Sequence, residues 1–321
     1  MTQGNALKSG GSLLERAAQI YDFNSGLRIA PPAPLASAVA EAAPVEKPAA
    51  ETPPQVERPK AEKAQVSPPA APHRPLAASR FGKVDREALR TAGYILPDAP
   101  VTGLAEEFRI IKRQLLLGVS GDHIAEDKRR TILVCSSQPN EGKTFSAVNL
   151  ALSLATEKDL EVLLVDGDFD KPEVLSTLGL EEGPGLIDAI ADPAADVESH
   201  VIRTDIEGLA VLPAGSRTNN VTELLASSRT RQVLADLTRR HPRRIVLFDS
   251  PPALMASPAT VLATHVGQVM MVVRADVTTE SDLREAVGLL SGCDAVSLML
   301  NAAGFAANGR RFGSYYGYSH D

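Results

Sequence analysis

Cysteine is nearly absent. The 321 residues hold two, Cys135 and Cys293, and the pair has no C-x-x-C spacing. That excludes a disulfide framework or a cysteine-built zinc site, and leaves both as small buried residues in a reducing compartment. Tryptophan is missing altogether, and no tyrosine occurs between Tyr94 and Tyr315. No apolar run approaches the ~20 residues needed to span a bilayer, and the N-terminus lacks the charged-then-apolar order of a secretory signal. A soluble, cytoplasmic protein is expected, with any membrane link supplied by a partner. A surplus of positive charge is missing too: 33 Lys and Arg face 40 Asp and Glu, for a net charge of −7. No nucleic-acid partner is expected on that balance.

What is present falls into four stretches. Residues 1–30 contain a short amphipathic segment. There Ser12 and Glu15 fit a capping box, and Leu13, Leu14, Ala17, Ile20 and Tyr21 share one helical face. It reads as a docking helix or as a plain chain end. Residues 31–99 read as a disordered linker rich in Pro and Ala. Twelve of the 23 prolines lie in 31–75, with no aromatic side chain among them to offset the entropy of folding. Residues 100–309 read as the folded domain, and 310–321 as a flexible tail.

Within the domain, short β-rich runs alternate with helical ones. The expected strands are Thr131–Ser136, Glu161–Asp166, Gly208–Pro213, Arg244–Asp249, Gly267–Arg274 and Ala295–Asn301. Several are continuously apolar, as strands covered on both faces are. Helices are expected over Leu104–Leu117, Thr144–Thr156, Ser228–Arg240 and Thr278–Ser291. The alternation implies an α/β domain with a mostly parallel sheet and helices on both faces.

The most informative stretch is Ser136–Thr144, which runs Ser-Ser-Gln-Pro-Asn-Glu-Gly-Lys-Thr between an apolar strand and a helix-forming run. Strand, loop and helix in that order are the context of a phosphate-binding P-loop. N–H groups at a helix start, together with the helix dipole, favour bound phosphate. Gly142 allows close approach, Lys143 reaches the β and γ oxygens, and the Thr144 hydroxyl suits Mg²⁺. The expected nucleotide contacts are Asn140, Glu141, Gly142, Lys143, Thr144 and Phe145. One departure is plain: the pattern G-x-x-x-x-G-K-[ST] has glycine where this chain has Ser137.

Two later strands end in carboxylates. Glu161–Val165 leads into Asp166-Gly167-Asp168, and Ile245–Phe248 leads into Asp249-Ser250-Pro251-Pro252. Parallel strands deliver such residues to the C-terminal edge of the sheet, where open α/β folds bind ligands. Lys143, Asp166, Asp168 and Asp249 are therefore the candidate catalytic residues. Asp166 and Asp249 join Thr144 as candidate magnesium ligands, and Asp166 or Asp168 is a candidate proton acceptor. The last seven residues hold Tyr315, Tyr316 and Tyr318 among glycine and serine. Beside an ATP site, these are natural phosphoacceptors.

Taken together, these motifs resemble the bacterial tyrosine kinases (BY-kinases), and within them the free-standing, exosortase-associated autokinases of polysaccharide biosynthesis. The resemblance covers about residues 100–321. It implies a P-loop NTPase-type fold, ATP with Mg²⁺, and phosphorylation of the tail tyrosines by a neighbouring copy. Gly142, Lys143 and Thr144 match the P-loop, Asp166 and Asp168 the Walker A′ aspartates, and Asp249 the Walker B residue. The family often has Arg where Asp170 stands; here Lys171 follows. Its Glu-x-x-Arg-x-x-Arg helix, which joins subunits into a ring, corresponds to Glu106, Arg109 and Lys112. Asn301 matches an Asn near the nucleotide base. A membrane chain-length-control protein as activator, a cognate phosphatase and a homo-oligomeric ring are also implied. Two rivals share the fold class: a partitioning-type ATPase, whose early P-loop Lys is absent here, and a nucleotide-binding regulatory module with weak catalysis.

Overall fold

Five runs of aliphatic residues lie side by side with almost every side chain buried, and they set the architecture. The protein was analysed as a computed structural model that describes residues 80–121 and 124–304. The chain divides into two units, Met1–Pro69 and Ala70–Asp321, and all described residues belong to the second. The N-terminal segment, most of the Pro/Ala stretch and the tyrosine tail lie outside the described residues.

The strands are β1 (Arg80–Gly82), β2 (Thr131–Ser136), β3 (Glu161–Asp166), β4 (Ile202–Thr204), β5 (Leu209–Leu212), β6 (Arg244–Asp249), β7 (Gln268–Arg274) and β8 (Val296–Asn301). They form one sheet in the order β1-β4-β5-β3-β6-β2-β7-β8. Only the β4–β5 pairing is antiparallel. In β2 all six residues are buried, as expected for a strand covered on both faces. Successive side chains part to opposite faces. Ile132, Val134, Val162, Leu164, Ile245 and Leu247 enter one core. Leu133, Cys135, Leu163, Val165, Val246 and Phe248 enter the other. Both cysteines are buried free thiols, and burial pushes the Cys135 thiol up to about 11.

The helices are α1 (Arg86–Thr91), α2 (Gly103–Ser120), α3 (Lys143–Ala155), α4 (Val174–Leu178), α5 (Leu186–Ala191), α6 (Val221–Leu225), α7 (Ser228–Arg239), α8 (Ser257–Ala263) and α9 (Glu280–Leu289). The first core packs against α2 and α3, and the second against α5, α7 and α8. The sequence-based strands and long helices agree with these within one to three residues at each end. No described helix is long and apolar enough to cross a membrane.

The domain starts earlier than expected. β1 pairs in parallel with β4, so residues 80–99 are part of the sheet domain rather than linker. Val84, Leu89, Ile95 and Leu96 are buried there. The Val84 N–H donates to Asp205 at 2.8 Å, and the Ile95 N–H donates to Asn149 on α3 at 2.8 Å. A three-residue strand and a six-residue helix are too short for hydrophobic periodicity to mark.

At the sheet edge opposite the C-terminal strand ends, Arg244 is 1% exposed and pairs with Glu161 and Glu198. Removing one partner of such a buried set leaves an uncompensated charge. Arg244→Ala is therefore expected to cost about 3–5 kcal/mol, measured by urea unfolding.

Candidate functional site

The C-terminal ends of β2, β3 and β6 are neighbours in the sheet, and the site forms there. Asp166 and Asp249 stand opposite each other in register on β3 and β6. Gly167 lets these strands close up: its N–H donates to the Asp249 carbonyl at 2.7 Å. A Cβ on Gly167 would meet that same oxygen at 2.8 Å. The Asp-Gly-Asp spacing thus has a packing reason as well as a chemical one.

The loop between β2 and α3 makes its left-handed steps at Asn140 (φ 64°) and Gly142 (φ 95°). Gly142 cannot be replaced by a larger residue, because an added Cβ would lie 2.1 Å from Asn301 Nδ2. Ser137 has no positive φ, so the glycine usual at that place is not needed by this backbone. Its side chain is fully buried.

Three residues far along the chain grip this loop from the β7–β8 side. Asn301 Nδ2 donates to the Glu141 carbonyl at 2.8 Å. Arg274 Nη1 donates to the Asn140 carbonyl at 2.8 Å. The Thr278 hydroxyl donates to Glu141 Oε1, while Glu141 Oε2 accepts from the Gln138 N–H at 2.9 Å. The Glu141 side chain is thereby a brace inside the loop, leaving its main chain to face phosphate. Phe145 is also turned aside: its ring packs on Tyr94, centroids 4.8 Å apart and tilted by 44°.

Four charged groups converge behind the loop. Lys143 Nζ pairs with Asp168 Oδ2 at 2.8 Å and lies 3.3 Å from the Thr144 hydroxyl. Burial works against the Lys143 charge, but Asp249 and Asp168 more than offset it and hold the ammonium above its usual range. Asp168 Oδ1 accepts from the Lys171 N–H at 3.1 Å. Asp166 has both oxygens occupied by main chain, from Asp168 N–H at 3.3 Å and Val174 N–H at 3.0 Å. Burial, with the neighbouring Asp249, pushes Asp166 up to about 7. Burial likewise pushes Asp249 up to about 6, against the pull of Lys143.

Asp249 differs from its neighbours in one decisive respect. It is 0% exposed, yet neither carboxylate oxygen has a hydrogen-bond partner. Buried carboxylates are rarely left so. With the Thr144 hydroxyl nearby, this donor set fits a divalent cation. Among the described residues no group of three or more His, Cys, Asp or Glu side chains forms a metal cage. A nucleotide-borne Mg²⁺ needs none, since phosphates and water complete its octahedron.

The chain is similar to the putative tyrosine-protein kinase CapB of Staphylococcus aureus, 28% identical over 223 residues, covering 69% of this chain and 92% of CapB. It is 31% identical over 188 residues to the putative tyrosine-protein kinase EpsB of Ralstonia nicotianae, of which it spans only 24%. Among solved structures, the BceF tyrosine kinase domain matches with a TM-score of 0.52 at 26% identity, over 69% of this chain and 92% of that domain. No family model matches. These relatives, all named as tyrosine kinases, support placing the chain with the bacterial tyrosine kinases.

Five of the residues expected at the nucleotide, the metal or a subunit interface have structural partners within this chain. Asp166, expected on the metal, accepts hydrogen bonds from the turn that follows β3. Asn301, expected near the base, holds the P-loop main chain. Phe145 and Glu141 use their side chains for packing and bracing. Lys112, expected at a subunit interface, is 3% exposed. It donates to the Ser153 carbonyl at 2.8 Å and pairs with Glu157 at 2.8 Å, capping the end of α3. It does not share the outer face of α2, where Glu106 and Arg109 pair with each other. Lys171 pairs with Glu173 at the surface. The braces Arg274 and Thr278 had no sequence signal, being a strand-end cation and a helix-start threonine of ordinary kind.

Gly142→Ala is expected to abolish ATP binding while the fold survives, read by nucleotide titration and circular dichroism. Arg274→Ala and Asn301→Ala each remove one brace. Each is expected to raise the KM for ATP about fivefold to tenfold with kcat less affected, as the loss of a hydrogen bond of ~1–1.5 kcal/mol implies. A pH effect also follows. Carboxyls raised above their unfolded value of ~3.9 favour the folded state fully below that pH. This contribution is lost as pH rises through about 6 for Asp249 and about 7 for Asp166. In nucleotide-free protein, Asp249→Asn is therefore expected to raise Tm at pH 8 by roughly 2–4 °C, with little change at pH 4.

Proposed function

We propose that this chain, a protein-tyrosine kinase by family, transfers the γ-phosphoryl group of ATP to Tyr315, Tyr316 and Tyr318 on the tail of a neighbouring copy. The observation that carries this reading is the unpartnered, buried Asp249 beside the Lys143–Asp168 pair. Such a site has a cation and an unsatisfied anion already in place, and is completed by Mg-ATP.

In the resting site Lys143 is held by Asp168. An incoming triphosphate competes for the ammonium, and the loop N–H groups hold the β-phosphate. Lys143 moving toward the γ-oxygens frees the carboxylate of Asp168. Asp249 and Thr144 would hold magnesium, which when bound neutralises charge on the phosphates. The phenol oxygen of the acceptor then bonds to the γ-phosphorus. The bond from that phosphorus to the β–γ bridging oxygen breaks, and ADP leaves with its electron pair. Asp168 accepts the phenol proton. Asp166, its oxygens engaged by the main chain, keeps the turn that aims Asp168. Positioning and charge neutralisation carry most of the rate in this chemistry.

Each phosphate adds about −1.5 to −2 charges at pH 7. Three on one tail of an already acidic chain repel one another and favour separation of copies. Glu106 and Arg109 on the outer face of α2 are the proposed contact between them. By this route the kinase would regulate exopolysaccharide synthesis and export at the inner face of the membrane. A membrane chain-length-control protein would recruit and activate it, and a phosphatase would reset the tail. The first two curated relatives, CapB and EpsB, are both named as tyrosine-protein kinases, which supports the acceptor class.

Incubation of the purified chain with Mg-ATP is expected to place phosphate on the tail peptide, read by mass spectrometry. Lys143→Ala is expected to lower the rate at least about a hundredfold. Asp168→Asn should lower kcat more than it raises the KM for ATP. Hydrolysis of ATP with an unlabelled tail, with or without a candidate activator segment, would sink the proposal.

A further inference from the structure

The last strand of the sheet has an open edge whose occupant the chain itself carries. β8 pairs with β7 in parallel along its whole length. The Val269 N–H donates to the Ala295 carbonyl at 2.8 Å, and the Ala275 N–H donates to the Asn301 carbonyl at 2.9 Å. In a parallel ladder, alternate residues turn their N–H and C=O groups to alternate sides. Residues 295, 297, 299 and 301 are therefore bonded toward β7. Val296, Leu298 and Leu300 face their main-chain groups to the other side, where no described strand pairs with them.

The same three residues share one face of the sheet. Val296 packs against the second core. Leu298 and Leu300 are 58% and 62% exposed. A free edge with bare leucines on an otherwise covered sheet is an adhesive surface that proteins normally cover.

We propose that residues 305–321 of the same chain fold back along β8 and pair with this edge. Three observations select this occupant. The described chain ends at Gly304, three residues past β8, so the segment begins at the edge it would cover. Directly after β8, Ala302 adopts a left-handed φ of 51°, which starts a reversal of direction. The eight steps from Gly304 to Phe312 reach about 27 Å, more than the ~20 Å length of the six-residue strand. The segment also has matching chemistry. With residues 304–312 returning to the start of β8, residues 312–318 run beside it in parallel. In an extended conformation there, Phe312, Tyr316 and Tyr318 fall on one face by period two, and Tyr316 and Tyr318 are the rings available to lie over Leu298 and Leu300.

Given the reading of these tyrosines as acceptors, docking holds them off a neighbour's catalytic site. A phosphate on Tyr316 or Tyr318 sets its charge against leucine and releases the segment. The docking itself does not rest on that reading.

Amide exchange measured residue by residue by NMR tests the docking without any catalysis. The full, unphosphorylated chain is compared with a chain ending at Gly304, and with the full chain carrying Phe312→Asp and Tyr316→Asp. Exchange at Val296, Leu298 and Leu300 is expected to speed up about tenfold or more in both variants. Ser297, Met299 and Asn301, bonded to β7, serve as the internal control and should not change. Equal rates at the three even positions in all proteins would overturn the proposal. So would protection in the truncated chain that grows with protein concentration, which would assign the edge to a second copy. Loss of tail phosphorylation with the exchange pattern intact would remove the acceptor reading and leave the docking standing.

Discussion

Two carboxylates on adjacent parallel strands, Asp166 and Asp249, are forced together in a space that water does not reach. Everything near the site answers that constraint. Asp166 is stabilised by two main-chain N–H groups. Asp249 is left with only the charge of Lys143 and the Thr144 hydroxyl to offset its burial. Folding thus tolerates an electrostatic cost at one point, the usual signature of a site waiting for a ligand. The rest of the sheet, with its two covered faces and long apolar strands, makes that cost affordable.

Lys143 links the resting and working states. Its pairing with Asp168 compensates the burial of both groups before nucleotide arrives, and keeps the Asp168 carboxylate occupied. The phosphate loop is similarly conditional. Its left-handed turns at Asn140 and Gly142 are secured less by its own sequence than by Arg274, Thr278 and Asn301. Those braces lie on the β7–β8 side of the domain.

The long strands and helices were legible because buried strands and amphipathic helices leave patterns as long as themselves. Leu163, Val165, Val246 and Phe248 advertise a covered sheet in any reading. The identities of the P-loop and of the three aspartates were legible for the same reason: strand, carboxylate and turn are adjacent in sequence. What was hidden depends on distant partners. Lys112 reads as a member of a charged helix face until the carbonyl of Ser153, 41 positions on, takes it inward. Asn301 reads as an ordinary strand-end Asn until it is found holding Glu141 across 160 positions. Residues 80–99 carried their burial in elements too short to repeat. The Ser137 departure lost its weight once the loop's left-handed steps were located elsewhere.

The central claim is that this site transfers phosphate to the tail of another copy. Mixing two variants addresses it directly: one carries Lys143→Ala with its tail intact, and the other carries Tyr315→Phe, Tyr316→Phe and Tyr318→Phe with its site intact. After incubation with Mg-ATP, mass spectrometry distinguishes the two tails. The account predicts phosphate on the tail of the Lys143→Ala copy, at a rate that rises with the concentration of its partner. An unlabelled tail in the mixture, under conditions where the parent chain labels its own, would contradict it.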